Sequence, residues 1–353
     1  KQHAAAIMVP SRPLLLNQIG APVAGVLAEY AQQVRILPAG NANTLPWLTH
    51  GADILFTAPS PAWLQAPINP PAGWRSGPRW VRIASSGIDG FPKWVTQDRI
   101  VTCGRGDAAT PIAEYVMAAL LRHERQVDAL HPTSSREWEK ITVSARNGVQ
   151  AGSQNAIRMG TLHGRVLGLA GYGALGRAIA ARARVFGMRL CVLRRKSWSA
   201  DNAERKRLDY ESDIENFKIV KSLAELFRES DHLVLAMPLT EETHRIVNAD
   251  VLAQSRPGLH LINVARGGLI DQDALLTALD AGRPAFATLD VTTPEPLPDG
   301  HAFYTHPRVS LTAHVSWVGP EVRANLAQRI RTNLARYLSG EPLLDTIDPA
   351  RGY

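Results

Sequence analysis

The stretch from 166 to 183 constrains this chain more than any other. Val166-Leu167-Gly168-Leu169-Ala170 is an apolar run, Gly171-Tyr172-Gly173-Ala174-Leu175-Gly176 follows it, and Arg177-Ala178-Ile179-Ala180-Ala181-Arg182-Ala183 reads as helix. Strand, glycine turn and helix in that order suit the binding of a dinucleotide pyrophosphate. Gly171 makes the tight turn, Gly173 lets the anion approach a backbone without a Cβ, and Gly176 lets helix and strand lie close. The anion then meets unpaired N–H groups at the positive end of the helix dipole.

A second apolar run, 188–193, completes a strand–helix–strand unit. Roughly 20 residues past the glycines, an acidic side chain would hold the ribose 2′-hydroxyl of NAD(H). This chain has Arg194, Arg195 and Lys196 there. A carboxylate would repel a 2′-phosphate, whereas a guanidinium pairs with it bidentately. NADP(H) is therefore the expected cofactor, with NAD(H) the alternative if these charges form only a solvated turn.

A chain of 353 residues suggests two domains. No apolar run approaches the roughly 18 residues of a membrane span, and residues 1–10 carry no signal-type apolar core. A cytoplasmic protein without membrane contact is expected. The net charge of +7 is spread along the chain without a basic stripe, so nucleic acid is not an expected partner. Cys103 and Cys191 lack metal-ligand spacing and read as buried free thiols; no metal site is expected.

Strands are expected over 4–9, 34–37, 52–57, 80–84 and 100–103, with a helix over 23–30 and a loop with at most a short helix over 59–78. Thr110-Pro111 reads as the cap and first turn of a crossover helix running to about 126. Residues 131–165 read as a long polar connection, either an arm that packs on a partner subunit or a mobile loop. The charged segment 202–218 reads as a surface insertion. Further strands are expected over 232–236, 261–264, 285–291 and 309–312, with helices over 223–227, 272–279 (capped by Asp271) and 320–338.

Ligands of an open parallel sheet bind beyond the carboxyl ends of its strands. Four such ends carry Ser85-Ser86-Gly87, Arg266, Glu295 and His314. Each alone has a bland reading as a turn residue or a solvated charge. Together they suit reduction of a 2-keto acid: histidine as general acid, a carboxylate on its other nitrogen, and arginine to hold the substrate carboxylate and polarise the carbonyl.

At this point the chain resembles the D-isomer-specific 2-hydroxyacid dehydrogenases. The shared motifs are Ser85-Ser86-Gly87-Ile88-Asp89, Ala113-Glu114-Tyr115, the glycine turn, Met237-Pro238-Leu239-Thr240 with Thr243, Asn263-Val264-Ala265-Arg266-Gly267, Leu289-Asp290-Val291 with Glu295-Pro296, and His314. The resemblance implies a catalytic trio of Arg266, Glu295 and His314, and Ser86 and Gly87 facing the substrate carboxylate through their backbone. It implies Ala174 and Leu175 at the pyrophosphate beside Gly171, Gly173 and Gly176, Pro238 and Thr243 bordering the cofactor groove, Val264 and Asp290 near the nicotinamide, and Ala265 among the cofactor-binding residues. It implies an α/β protein with a Rossmann-type doubly wound coenzyme domain (108–317). A smaller, discontinuous flavodoxin-like α/β substrate domain (1–107 and 318–353) would complete it, with a homodimer through the coenzyme domain.

Three departures from the family pattern stand out: Arg194 in place of an acid, a long 139–160 segment, and Ala313 where proline is common before the histidine. The expected activity is NADPH-dependent reduction of a small 2-keto acid of the glyoxylate or hydroxypyruvate class. Two alternatives are an NAD(H) enzyme for a bulkier acid and a cofactor-sensing regulatory protein without metabolic turnover; Trp317 and the tryptophan-rich 63–80 segment could line the larger pocket of the first, but core packing or surface is the leading reading of each tryptophan.

Overall fold

The computed structural model describes residues 10–37, 45–147, 157, 159–193, 216–349 and 353. The expected strand over 4–9, the basic residues Arg194, Arg195 and Lys196, and most of the charged 202–218 segment lie outside them. The chain divides into two compact units, 1–108 with 318–353, and 109–317.

The first unit is a parallel five-stranded sheet in the order β2-β1-β3-β4-β5. Its strands are β1 (Leu14–Asn17), β2 (Arg35–Leu37), β3 (Ile54–Thr57), β4 (Trp80–Ile83) and β5 (Ile100–Thr102). This is the flavodoxin-like strand order. Successive side chains of a strand face opposite sides of the sheet, and the residues sort accordingly. Leu15, Ile54, Phe56 and Trp80 pack with α1 (Ala21–Glu29) and the last helix, α8 (Pro320–Leu338). Leu16, Leu55, Val81 and Ile83 pack on the other face with Trp47, Trp63, Trp74 and Trp94. Leu326, Ile330, Leu334 and Tyr337 are the buried stripe of α8, so residues far apart in the chain complete one core. Trp63, Trp74 and Trp80 are fully buried, and the indole N–H groups of Trp63 and Trp80 donate to Thr57 and Thr102 at 3.0 and 2.9 Å. These tryptophans are core, not the lining of a larger pocket.

The second unit is a parallel seven-stranded sheet in the order β12-β11-β10-β9-β6-β7-β8. Its strands are β6 (Val166–Ala170), β7 (Arg189–Leu193), β8 (Phe217–Val220), β9 (His232–Leu235), β10 (His260–Asn263), β11 (Phe286–Leu289) and β12 (Val309–Leu311). This is the doubly wound Rossmann arrangement, and the strand order reverses between β6 and β9. Helices α2 (Ala109–Arg125), α3 (Ser135–Asn147), α4 (Ala174–Val185), α5 (Leu223–Glu229), α6 (Ala249–Leu252) and α7 (Gln272–Asp280) belong to it. Asp271 caps α7 as expected, its carboxylate accepting from the Ala274 N–H at 3.2 Å.

Four features differ from the sequence reading. The first described strand is Leu14–Asn17, a short apolar run the reading passed over. Phe217–Val220 is an edge strand paired with β7, not the tail of a surface insertion. Helix α2 begins at Ala109, so Thr110 and Pro111 sit in its first turn and Thr110 is not its cap. The 131–165 connection contains α3, which buries no residue. Its start is capped: the Ser134 hydroxyl accepts from the Glu137 N–H at 3.1 Å, and the Glu137 carboxylate reaches back to the N–H of the preceding Thr133 at 2.7 Å.

Buried histidines line the amino-terminal end of the second sheet. His232 Nε2 meets Glu124 Oε1 at 3.0 Å, His232 Nδ1 meets His260 Nδ1 at 3.3 Å, and His260 Nε2 meets Thr288 Oγ1 at 2.8 Å. His123 stacks on His260 with ring centroids 4.2 Å apart. With His260 neutral, Thr288 donates to its Nε2 and its Nδ1–H donates to His232, whose Nε2–H donates to the Glu124 carboxylate. Burial first, and the neighbouring imidazoles second, lower the pKa of His123 to about 4 and hold His260 well below the usual 6.5. The unfolded chain therefore binds protons below pH 6.5 that the folded chain refuses, and stability falls as the pH drops from there towards 4. The melting temperature is expected to decline steeply over that window and less steeply in His123→Leu. Equal slopes in the two proteins would contradict this.

Candidate active site

The candidate residues of the second unit lie at the carboxyl ends of adjacent strands. After β10, Asn263 sets the turn. Its amide donates to the Arg266 carbonyl at 2.9 Å and its oxygen accepts from the Ala265 N–H at 3.1 Å. Arg266 leaves this turn, with Nη1 donating to the Ala265 carbonyl at 2.7 Å. After β11, the chain folds back so that Glu295 Oε1 accepts from the Thr292 N–H at 2.9 Å. Gln272 on α7 brackets Thr293 from both sides, donating to its carbonyl at 2.6 Å and accepting from its N–H at 2.9 Å. After β12, His314 Nδ1 meets Glu295 Oε2 at 2.7 Å.

His314 has φ 54°, a left-handed backbone that costs a non-glycine residue on the order of 1 kcal/mol. Asp290 holds it there. Its carbonyl accepts from the His314 N–H at 2.8 Å. Its buried carboxylate accepts from the Val315 and Ser316 N–H groups, both at 3.0 Å, and from the Thr312 hydroxyl at 2.6 Å. Tyr115 on α2 adds a hydroxyl contact to Thr312 at 2.7 Å, and the Trp317 indole donates to the His314 carbonyl at 2.9 Å. The loop is thus fixed around a histidine whose side chain stays 40% exposed.

The glycine turn occupies the point where the strand order reverses. Gly171 has φ +113°, and a Cβ there would lie 2.5 Å from the Ala236 carbonyl oxygen at the end of β9. Gly173 precedes α4 without a side-chain cap, and a Cβ built on it meets nothing within 4 Å. Ala174, Leu175 and Gly176 form the first turn of that helix. Open space before uncapped N–H groups fits a pyrophosphate. Across the reversal, Pro238 and Thr243 close one tight loop, in which the Thr243 hydroxyl donates to the Pro238 carbonyl at 2.8 Å and accepts from the Thr240 N–H at 2.7 Å. Val264 and Ala265 follow β10 directly. In the first unit, the Ser85 hydroxyl donates to the Gly87 carbonyl at 2.6 Å and the Ser86 hydroxyl to the Gly104 carbonyl at 2.7 Å. Both hydroxyls are turned to backbone, so what this loop can offer an anion is main chain.

Comparison with known proteins shows the family. Residues 117–316 match the family model described as D-isomer specific 2-hydroxyacid dehydrogenase, NAD binding domain. The chain belongs to the D-isomer specific 2-hydroxyacid dehydrogenase family. A D-3-phosphoglycerate dehydrogenase of Bacillus subtilis is 31% identical over 66% of this chain and 39% of its own length. A glyoxylate reductase of Thermococcus kodakarensis is 33% identical over 67% of this chain and 64% of its own length. Both matches therefore span less than two thirds of those relatives. The D-mandelate dehydrogenase structure of Rhodotorula graminis shares the fold, with a TM-score of 0.75 at 24% identity over 96% of this chain and 98% of that one.

In this family member, the histidine and the carboxylate tune each other. The hydrogen bond to Glu295 raises the His314 pKa first; burial opposes this, the Glu295 charge adds to it, and Arg266 draws it down. Burial pushes Glu295 up, but the bonds from His314 and the Thr292 N–H and the charges of His314 and Arg266 outweigh it and hold its pKa down. The pair gains stability below the unfolded histidine pKa of about 6.5, and that gain is lost as pH rises through the raised folded value. Because Nδ1 faces Glu295, Nε2 is the nitrogen left to carry a proton to a bound molecule. Glu295→Gln removes the charge and leaves an uncharged partner. Its pH–rate profile is expected to lose activity at lower pH on the alkaline side, with turnover at neutral pH down roughly 10-fold or more. An unmoved alkaline limb would contradict the pairing.

Several residues of this site carry a role that sequence reasoning did not assign. Asn263 opens the Asn263–Gly267 motif, but its bonds to the Arg266 turn follow only from the fold. Gln272 had no sequence signal beyond its place after the Asp271 cap. Asp290 was placed near the nicotinamide by resemblance; in the structure its carboxylate caps the His314 loop. Among the described residues no group of His, Cys, Asp and Glu could hold a metal ion, and no helix is long and apolar enough to cross a membrane.

Proposed function

We propose that this chain reduces a small 2-keto acid of the glyoxylate or hydroxypyruvate class to the D-2-hydroxy acid, using NADPH. The observation that carries the reading is the 2.7 Å contact between His314 Nδ1 and Glu295 Oε2, within the field of Arg266. It prepares an imidazolium to act as a general acid near neutral pH. Bound NADPH supplies the hydride. Arg266 holds the substrate carboxylate and polarises the keto group, His314 Nε2 gives its proton to the developing alkoxide, and Glu295 stabilises the charged imidazole. Main-chain N–H groups of Ser86 and Gly87 add contacts to the carboxylate. The chain is proposed to work as a cytoplasmic homodimer.

The cofactor preference rests on Arg194, Arg195 and Lys196, which follow β7 directly in sequence. A doubly wound fold receives the adenosine ribose beyond that strand end. Replacing Arg194 and Arg195 by serine is expected to raise the KM for NADPH roughly 10-fold or more while leaving that for NADH nearly unchanged, because the lost bonds are charge-assisted ones to the 2′-phosphate. Parallel changes for both cofactors would contradict an assignment to the 2′-phosphate.

A further inference from the structure

Arg82 lies on the inner strand β4 of the first sheet with no exposed surface. A buried cation is costly unless its donors are used. Two of the three guanidinium nitrogens are used, Nη1 donating to the Cys103 carbonyl and Nη2 to Asp107 Oδ2 at 2.9 Å, while the buried Nε has no partner among the described residues. Both targets lie in the bend that follows β5. The same bend holds the loop above it, because the Gly104 N–H donates to the Ser85 carbonyl at 2.8 Å and the Ser86 hydroxyl to the Gly104 carbonyl at 2.7 Å. The approach is close enough that a Cβ on Gly104 would lie 2.5 Å from the Ala84 carbonyl oxygen. From behind, the Asn325 amide on α8 donates to the Asp107 carbonyl at 2.9 Å, and the Cys103 N–H to the Asp345 carbonyl at 3.2 Å.

We infer that Arg82 is a positioning residue for the Ser85–Gly87 turn. Acting through Cys103 and Gly104, it sets where the main-chain N–H groups of that turn stand, and so the affinity for the substrate carboxylate. It touches none of the reacting atoms. An apolar side chain would fill the same volume without the cost of a buried charge, but only a planar guanidinium reaches a carbonyl and a carboxylate at once. The inference rests on the reading that Ser86 and Gly87 receive the carboxylate.

Arg82→Lys keeps the charge, but its single ammonium loses the divided grip. Its KM for glyoxylate is expected to rise roughly 10-fold, with kcat and the KM for NADPH each within about threefold of wild type. Ser86→Ala releases the same bend from above without exposing a buried charge, so it serves if Arg82→Lys fails to fold. It is expected to raise the glyoxylate KM in the same sense, leaving kcat and the melting temperature nearly unchanged. A wild type that reduces glyoxylate, together with Arg82→Lys or Ser86→Ala proteins that keep its KM, would overturn the inference alone. A wild type that reduces no 2-keto acid would overturn the proposed function, and this inference with it.

Discussion

His314→Ala is expected to lower the turnover of a 2-keto acid by roughly 10²-fold or more, the usual contribution of a positioned general acid. The loss should fall on kcat. Removing the imidazole takes away the proton donor and leaves Glu295 still bonded to the Thr292 N–H at 2.9 Å. Dinucleotide binding should persist, because the Gly171 turn and the start of α4 belong to strand ends other than the one that carries His314. Steady-state rates and a dinucleotide titration on the same protein separate the two effects. Near-normal turnover would remove His314 from the chemistry.

Gly267→Ala is expected to cost about as much, for a different reason. A Cβ on Gly267 would lie 2.0 Å from the Thr292 carbonyl carbon and 2.1 Å from its oxygen. Those atoms are backbone and cannot swing aside. Either the turn that carries Arg266 or the loop that carries Glu295 must move, and Glu295 is tied to Thr292 itself. A displacement on the order of 1 Å at a catalytic group can cost roughly 10²-fold in rate. Turnover should therefore fall by about that factor, with dinucleotide binding preserved. Wild-type kcat in a folded Gly267→Ala protein would mean that the two loops need not keep this spacing.

Much of the fold was legible because its signals are local. The glycine turn, the alternation of apolar strands with helical stretches and the Asp271 cap lie within a few residues of what they determine. Elements were missed where local signals are weak. Leu14–Asn17 is a short apolar run between prolines and a polar stretch, and Phe217–Val220 follows a charged segment that masks it. Helix α3 buries nothing, so it has no core-facing stripe to betray it; its cap residue Ser134, with Glu137 three residues on, was the readable clue. Trp63, Trp74 and Trp80 offered a pocket or a core from composition alone, and burial decides for the core.

In the site, the placement of Arg266, Glu295 and His314 at neighbouring strand ends was legible because each follows an apolar run that ends there. What Asp290, Asn263 and Gln272 do was not, because each acts on backbone that only the assembled sheet brings within reach. The left-handed backbone of His314 has no sequence signature either. It is held by the Asp290 carbonyl just past the end of β11, more than twenty residues away along the chain.

The measurement to make first is oxidation of NADPH followed by absorbance, with glyoxylate, hydroxypyruvate and phenylpyruvate offered separately to the wild type and to His314→Ala. The expected result is turnover by the wild type, faster with the two small acids than with phenylpyruvate, and a collapse in the variant. No oxidation by a wild-type protein that binds the dinucleotide, with every acid tried, would contradict the proposed chemistry and favour a protein that senses the cofactor without turning it over.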